Sequence, residues 1–205
     1  MLIENFGAPL RMVDPGVGFK KHPSNYFTHR PIDAALALRE AHSIQPRSIA
    51  GVEVVFPRFD YVNRPQPTTG LDGKFSVQYT TAIAMLDGEI TVDSFDNARR
   101  FAPDVVALLP KITLRIDDSI PQDFNQMHVI TTVGLDDGRQ FVKRVDKLTG
   151  WVGSPLTREQ RLKKFHACAR RVLTPETAER VVGCVEALEQ QSNVGELMAM
   201  LRGTQ

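Results

Sequence analysis

Two alternating apolar runs meet at a tight turn in the second half of the chain: MHVITTVGL and RQFVKRVD flank Asp136, Asp137 and Gly138. Asp-Gly suits the left-handed backbone of short hairpin loops, so the two runs are expected to fold back on each other as antiparallel strands. A lone hairpin is marginal in water and needs further strands or a helical layer. Ile112, Leu114 and Ile116 alternate with Thr113, Arg115 and Asp117, the period of a half-buried strand. The Val-rich stretch Ile49 to Phe59, IAGVEVVFPRF, closed by Pro57, supplies another. The expectation is an α+β fold: an antiparallel sheet with packed helices.

The helices come from a different period. Pro31 suits a first helical turn, Asp33 favours its positive end, and Ile32, Ala35, Leu36 and Arg39 follow at helical spacing to His42. Phe75, Gln78, Tyr79, Ala82, Ile83 and Leu86 form one face of a second helix, with Gly88 as a left-handed stop. Ser94 to Arg100 and Pro103 to Leu109 predict two short ones. After Gly150 only helical patterns remain. Thr157 and Gln160 make a capping box ahead of Leu162, Phe165, Ala169 and Val172. Thr174 and Pro175 open a helix striped by Ala178, Val181, Val182, Val185 and Leu188, and Asn193 to Leu201 adds a last turn or two. Met1 to Asn25, with Gly7, Pro9, Pro15, Gly16, Gly18 and Pro23, has neither period and reads as a connection. The division expected is therefore a linker over 1–25, an α+β domain over 26–150 and a helical tail over 151–205.

Composition narrows the function. With 25 Lys and Arg against 24 Asp and Glu, the chain has no global field to draw nucleic acid or an anionic membrane. Any anion site must be local. Glu4 and Arg11 interrupt the first apolar stretch, which argues against a signal peptide, and no apolar run reaches membrane-spanning length. Cys168 and Cys184 sit in helical patterns without zinc-type spacing, so neither a metal clip nor a disulfide framework is expected, and a reducing cytoplasm fits.

Four blocks then stand out in order: KKHPSNYFTHRPIDAALALR at Lys20 to Arg39, YVNRPQP at Tyr61 to Pro67, KFSVQYTTAIAMLDGEIT at Lys74 to Thr91, and GWVGSPLTREQRLKKF at Gly150 to Phe165. Together they resemble the C-terminal part of the MmgE/PrpD family, and the resemblance covers essentially the whole chain. That family includes dehydratases, decarboxylases and an epimerase of carboxylic acids. The resemblance implies an α+β lid domain followed by helices that return toward a large helical domain, which is expected to lie outside this chain. It also implies that the larger domain supplies an acidic residue and histidines to the active site.

The shared chemistry builds charge on a carbon beside a carboxylate, so cations and hydrogen-bond donors must hold the carboxylates while a proton moves. The resemblance places Lys20 and Tyr61 in that site as the catalytic pair: an ammonium for a carboxylate, and a phenol as donor or relay. Taken alone, Lys20 reads as a solvated loop lysine and Tyr61 as a structural residue at a strand end. Lys21 is the adjacent alternative. Asn25 and His29 are expected just before a helix, near amides that favour an anion. Some relatives carry a histidine where Asn25 stands, which suggests a different substrate. Arg64 can clamp a carboxylate through its planar fork or pair within its own loop. Lys74 is expected at a helix start, where a cation opposes the dipole and needs a compensating contact, either a bound carboxylate or an acid such as Asp72.

Arg158, Arg161, Lys163, Lys164, Arg170 and Arg171 make the first tail helix basic. With no aromatic stacking platform, it reads as a solvated or docking face rather than a nucleic-acid surface. Trp151, Met198 and Met200 read as packing residues at the junction with the larger domain. The expected partners are a di- or tricarboxylate, and a helical domain of the same family or a second copy of the chain in a homo-oligomer such as a dimer. No metal or other cofactor is expected.

Overall fold

Asn25 starts the first helix earlier than Pro31 predicts. Its side-chain oxygen accepts the Phe27 amide, and α1 runs from Tyr26 to His42 with Pro31 inside it. A cap satisfies an amide that the helix leaves open, and this local bond outweighs the preference of proline for a first turn. The computed structural model describes Gly7 and residues 10–202. The rest of the first nine residues, where the expected linker begins, lie outside the described residues.

The remaining elements of the first unit are β1 (Ile49–Phe56), α2 (Gly70–Gly73), α3 (Val77–Asp87), α4 (Asn97–Arg100), α5 (Pro103–Leu108), β2 (Ile112–Ile116), β3 (Val129–Leu135) and β4 (Gln140–Val145). The sheet order is β2-β1-β3-β4. Its β1–β3 and β3–β4 pairs are antiparallel, and the Asp137-Gly138 hairpin forms as expected, with Gly138 at φ 85°. The edge differs: β2 pairs with β1 in parallel, Val52 opposite Ile112 through Phe56 opposite Ile116. A strand that returns through helices rather than a tight turn can lie parallel to its predecessor, and α2 to α5 provide that crossover.

Helices α1 and α3 lie against each other and against the sheet, α1 over β3 and β4 and α3 beside β2. Sequence spacing gives α3 one apolar face, yet Val77 to Met85 is buried throughout. Thr80 satisfies its hydroxyl on the Ser76 carbonyl at 2.8 Å, whereas the buried Thr81 hydroxyl beside it has no well-directed partner. Gly88 ends the helix at φ 74°, as expected.

The chain divides into two compact units, residues 1–156 and 157–205. Trp151 and Ser154 form a small bridge that belongs to the first. The second contains α6 (Arg158–Ala169), α7 (Pro175–Glu186) and α8 (Gly195–Leu201). Thr157 and Gln160 form the capping box in full. Ala169, Leu173, Ala178 and Val181 make a small core with Phe165, Leu197 and Met200 against it. Both cysteines, on α6 and α7, are free thiols. Among the described residues no helix is long and apolar enough to cross a membrane.

Candidate functional site

The extended segment before α1 is held from behind. The Phe19 amide donates to the Gly150 carbonyl at 2.5 Å, which fixes where Lys20 begins. The Lys20 ammonium stands 5.4 Å from the centre of the Tyr26 ring, and its charge reaches His29. Tyr26 and His29 lie three residues apart on one face of α1, with ring centres 5.0 Å apart. Trp151 meets the Tyr26 ring edge-on at 5.2 Å, and Phe124 lies against Trp151.

Burial divides these groups sharply. His29 is wholly enclosed, and neither ring nitrogen has a well-directed hydrogen-bond partner. Burial first, then the neighbouring His22 and Lys20, lowers its pKa to about 3, although Asp33 and the nearby Ser24 carbonyl favour the proton. At neutral pH it is therefore an uncharged imidazole and a weak base, able to donate or accept a hydrogen bond but poorly matched to proton abstraction. This corrects the expected placement: His29 lies inside α1, not on the approach to it. The Tyr26 hydroxyl is likewise enclosed without a partner, and burial raises its pKa.

Asn25 is the helix cap itself. Its amide N–H donates to the Lys74 carbonyl at 3.0 Å, and its side chain lies close enough to the Tyr61 hydroxyl to favour the phenolate. Partial burial raises the Tyr61 pKa more than Asn25 lowers it, so the phenol keeps its proton and remains a donor at neutral pH. The Tyr61 ring also meets Phe27 edge-on at 5.6 Å. Tyr26 and Phe27 thus follow Asn25 directly: Tyr26 carries the contact to Lys20, and Asn25 and Phe27 carry the contacts to Tyr61.

The other expected ligands are engaged within the chain. Lys21 is paired with Asp33 at 2.7 Å, and the same carboxylate oxygen lies 2.8 Å from His22. Asp33, expected in the first helical turn, instead serves as a half-buried partner for both. Arg64 pairs with Asp72 and donates through Nε to the Tyr61 carbonyl at 2.8 Å, so its fork stiffens its own loop. Lys74 caps the C-terminal end of α2, where the dipole favours a cation; the helix-start placement is thereby corrected. Its ammonium lies 5.5 Å from the Phe95 ring, and among the described residues no carboxylate pairs with it.

The arrangement offers an ammonium, a protonated phenol and a side-chain amide around one helix start, backed by the neutral imidazole of His29. Such a set can bind carboxylate oxygens and stabilise negative charge beside them. Sequence reasoning missed Tyr26, His22 and the bridging role of Asp33. The i, i+3 spacing of Tyr26 and His29 was the available signal. Among the described residues no group of three His, Cys, Asp or Glu stands close enough to hold a metal ion.

Comparison with known proteins gives consistent matches. A family profile described as the MmgE/PrpD C-terminal domain covers residues 22–190. Cis-aconitate decarboxylase of Mus musculus is 33% identical over 194 residues, covering 91% of this chain and 40% of its own length. The Homo sapiens cis-aconitate decarboxylase matches with the same identity and coverage. The cis-aconitate decarboxylase-like protein oryM of Aspergillus oryzae is 23% identical over 167 residues, 82% of this chain and 34% of its own length. The chain thus spans 40% or less of the length of these curated relatives.

Proposed function

Since the chain belongs to the MmgE/PrpD family and carries its C-terminal domain, we propose that it forms the carboxylate-gripping part of a lyase site for a di- or tricarboxylic acid. The observation that carries this reading is the 33% identity to cis-aconitate decarboxylases over 91% of the chain. It favours decarboxylation over dehydration. Lys20 holds one substrate carboxylate as an ion pair, and the protonated Tyr61 phenol, aligned by Asn25, donates to another oxygen or relays a proton. His29 remains neutral behind them. The proton-handling groups come from a helical domain of the family, which completes the cleft over the segment 20–25. As part of this reading, 1–25 connects to that domain, 26–150 is the lid, 151–205 is the returning helical tail, the assembly is a homo-oligomer, and the setting is cytoplasmic.

The test is turnover and binding. The full chain, purified alone, is expected not to decarboxylate cis-aconitate or dehydrate methylcitrate. Co-expressed with a helical domain of the family it gains activity, and Lys20→Ala abolishes that activity while Lys21→Ala retains most of it. A restored activity indifferent to Lys20→Ala would remove the assignment.

A second reading rests on the exposed apolar side chains of the helical unit, among them Val185, Leu188, Val194 and Met198. These suit an interaction subunit that binds a helical partner or a second copy without catalysis. Co-purification of a partner with no turnover supports it. Epimerisation is the third, because withdrawing and returning a proton beside a carboxylate requires the same grip; loss of a chiral signal without loss of carbon distinguishes it.

A further inference from the structure

The position of Tyr61 relative to the start of α1 depends on two fastenings, and both run to one short segment. On one side the Asn25 amide donates to the Lys74 carbonyl at 3.0 Å. On the other, Ser76 Oγ donates to the Arg64 carbonyl at 2.6 Å, and Gln78 Oε1 accepts the Arg64 amide at 3.2 Å. Gln78 Nε2 then donates to Asn63 Oδ1 at 2.5 Å. Residues 74–78 therefore hold both the helix cap and the loop that carries the phenol.

Gln78 is the unusual member. It is only 2% exposed, on a helix whose other positions are filled largely by apolar and small side chains, and both ends of its amide turn to one loop. A methionine would fill similar space without desolvating an amide, so the side chain is explained by the bonds it makes rather than by volume. Tyr61 itself is 46% exposed, and packing alone holds such a side chain loosely. Its peptide is instead tied in through Arg64, whose Nε donates to the Tyr61 carbonyl at 2.8 Å. Val62, between them, is fully buried and anchors the turn.

We infer that Gln78 is a positioning residue: from α3 it fixes Asn63 and Arg64 so that the Tyr61 ring is held against Phe27 at the start of α1. The importance of that alignment rests on the proposed role of Tyr61, but the alignment can be measured without substrate. Gln78 touches no reacting group. It acts through the loop.

The experiment labels tyrosine at Cζ with carbon-13 in the full chain, assigns the three resonances by single Tyr→Phe variants, and titrates them in wild type, Gln78→Met and Asn63→Ala. In Gln78→Met the Tyr61 titration is expected to move down toward that of a solvated tyrosine, as the loop swings out and burial is lost. Tyr26 and Tyr79, held by other contacts, stay in place. Asn63→Ala removes one of the two bonds at an exposed position, so it folds and shifts Tyr61 in the same direction by less. A drop in thermal stability with Tyr61 unmoved is the mark of a merely structural glutamine and overturns the inference. If Gln78→Met does not fold, Asn63→Ala decides alone, and an unmoved Tyr61 there has the same meaning. No carboxylate is present, so failure of the wild-type protein to bind tricarboxylates would remove the proposed function and leave this result standing.

Discussion

His22 Nε2 lies 2.8 Å from Asp33 Oδ1, and that oxygen also accepts the Lys21 ammonium at 2.7 Å. Asp33 thereby ties the segment that carries Lys20 to the third turn of α1. Burial alone would raise its pKa, but hydrogen bonds and charge from His22 and Lys21 prevail and hold the carboxyl below its ordinary value of 3.8. A carboxylate with a depressed native pKa adds stability above its unfolded pKa and loses it as pH falls through the native one. Asp33→Asn is expected to cost about 2 kcal/mol at pH 7, the worth of a charged hydrogen bond, with the difference shrinking below pH 4. Urea melts at both pH values check it; an equal loss at pH 3 and pH 7 would contradict the ionic account.

His29 acts in the same direction on acidification, over a higher range of pH. Its native pKa of about 3 lies below the ordinary 6.5, so between those values the unfolded chain binds a proton that the folded chain refuses. Stability is fully present above pH 6.5 and falls on acidification toward pH 3, by about 1.4 kcal/mol per pH unit where the two states differ by a whole proton. His29→Phe should flatten that slope. Thermal midpoints measured from pH 7 to pH 4 test this, and an unchanged slope in the variant would show that other groups carry it.

Gly150 controls the anchorage of Lys20. It adopts φ 90°, and a Cβ there would run into the Phe19 carbonyl. Gly150→Ala is expected to cost about 1–3 kcal/mol and to detach the Phe19 contact. Trp151, the only tryptophan, sits next door against Tyr26, so its emission should shift to the red and residues near Lys20 should become protease-sensitive. A variant with wild-type emission and protection would show that the Phe19–Gly150 contact does not anchor Lys20.

Arg30 closes the other side of α1. It is almost completely buried, and its Nε and Nη2 donate to the carbonyls of Asp146 at 3.1 Å and Phe124 at 2.6 Å. Burial lowers its pKa to about 10, yet it remains charged at neutral pH. Arg30→Lys cannot satisfy two diverging carbonyls with one ammonium and should lose about 2–3 kcal/mol. Hydrogen exchange at residues 124–128 reports the loosening; unaltered exchange would mean that the aromatic contacts of Phe124 suffice.

Much of the site was legible only as residue types. Lys20, Asn25 and Tyr61 stand in recognisable blocks, but that the Asn25 side chain reaches the Tyr61 phenol follows from the packing of α1 beside the loop after β1. Lys21 carries the same charge as a substrate-binding cation would, and no local pattern says that Asp33 occupies it; Arg64 pairs within its own loop, one of the two readings its position allows. Pro31 suggests a later helix start, so the sequence places His29 before the helix, as a ligand or a capping or packing residue, rather than enclosed within it.

The chain by itself determined what neighbouring residues decide: the Asp137-Gly138 hairpin, the Gly88 stop, the Thr157–Gln160 capping box and the periods that separate strands from helices. These are contests between a backbone group and a side chain a few positions away, so short spacing contains the answer. Only the tertiary structure decided the parallel β1–β2 edge, the enclosure of His29 and the bridging of Asp33 between Lys21 and His22. Those depend on which surfaces lose water together, a property of the whole packed unit rather than of any stretch within it.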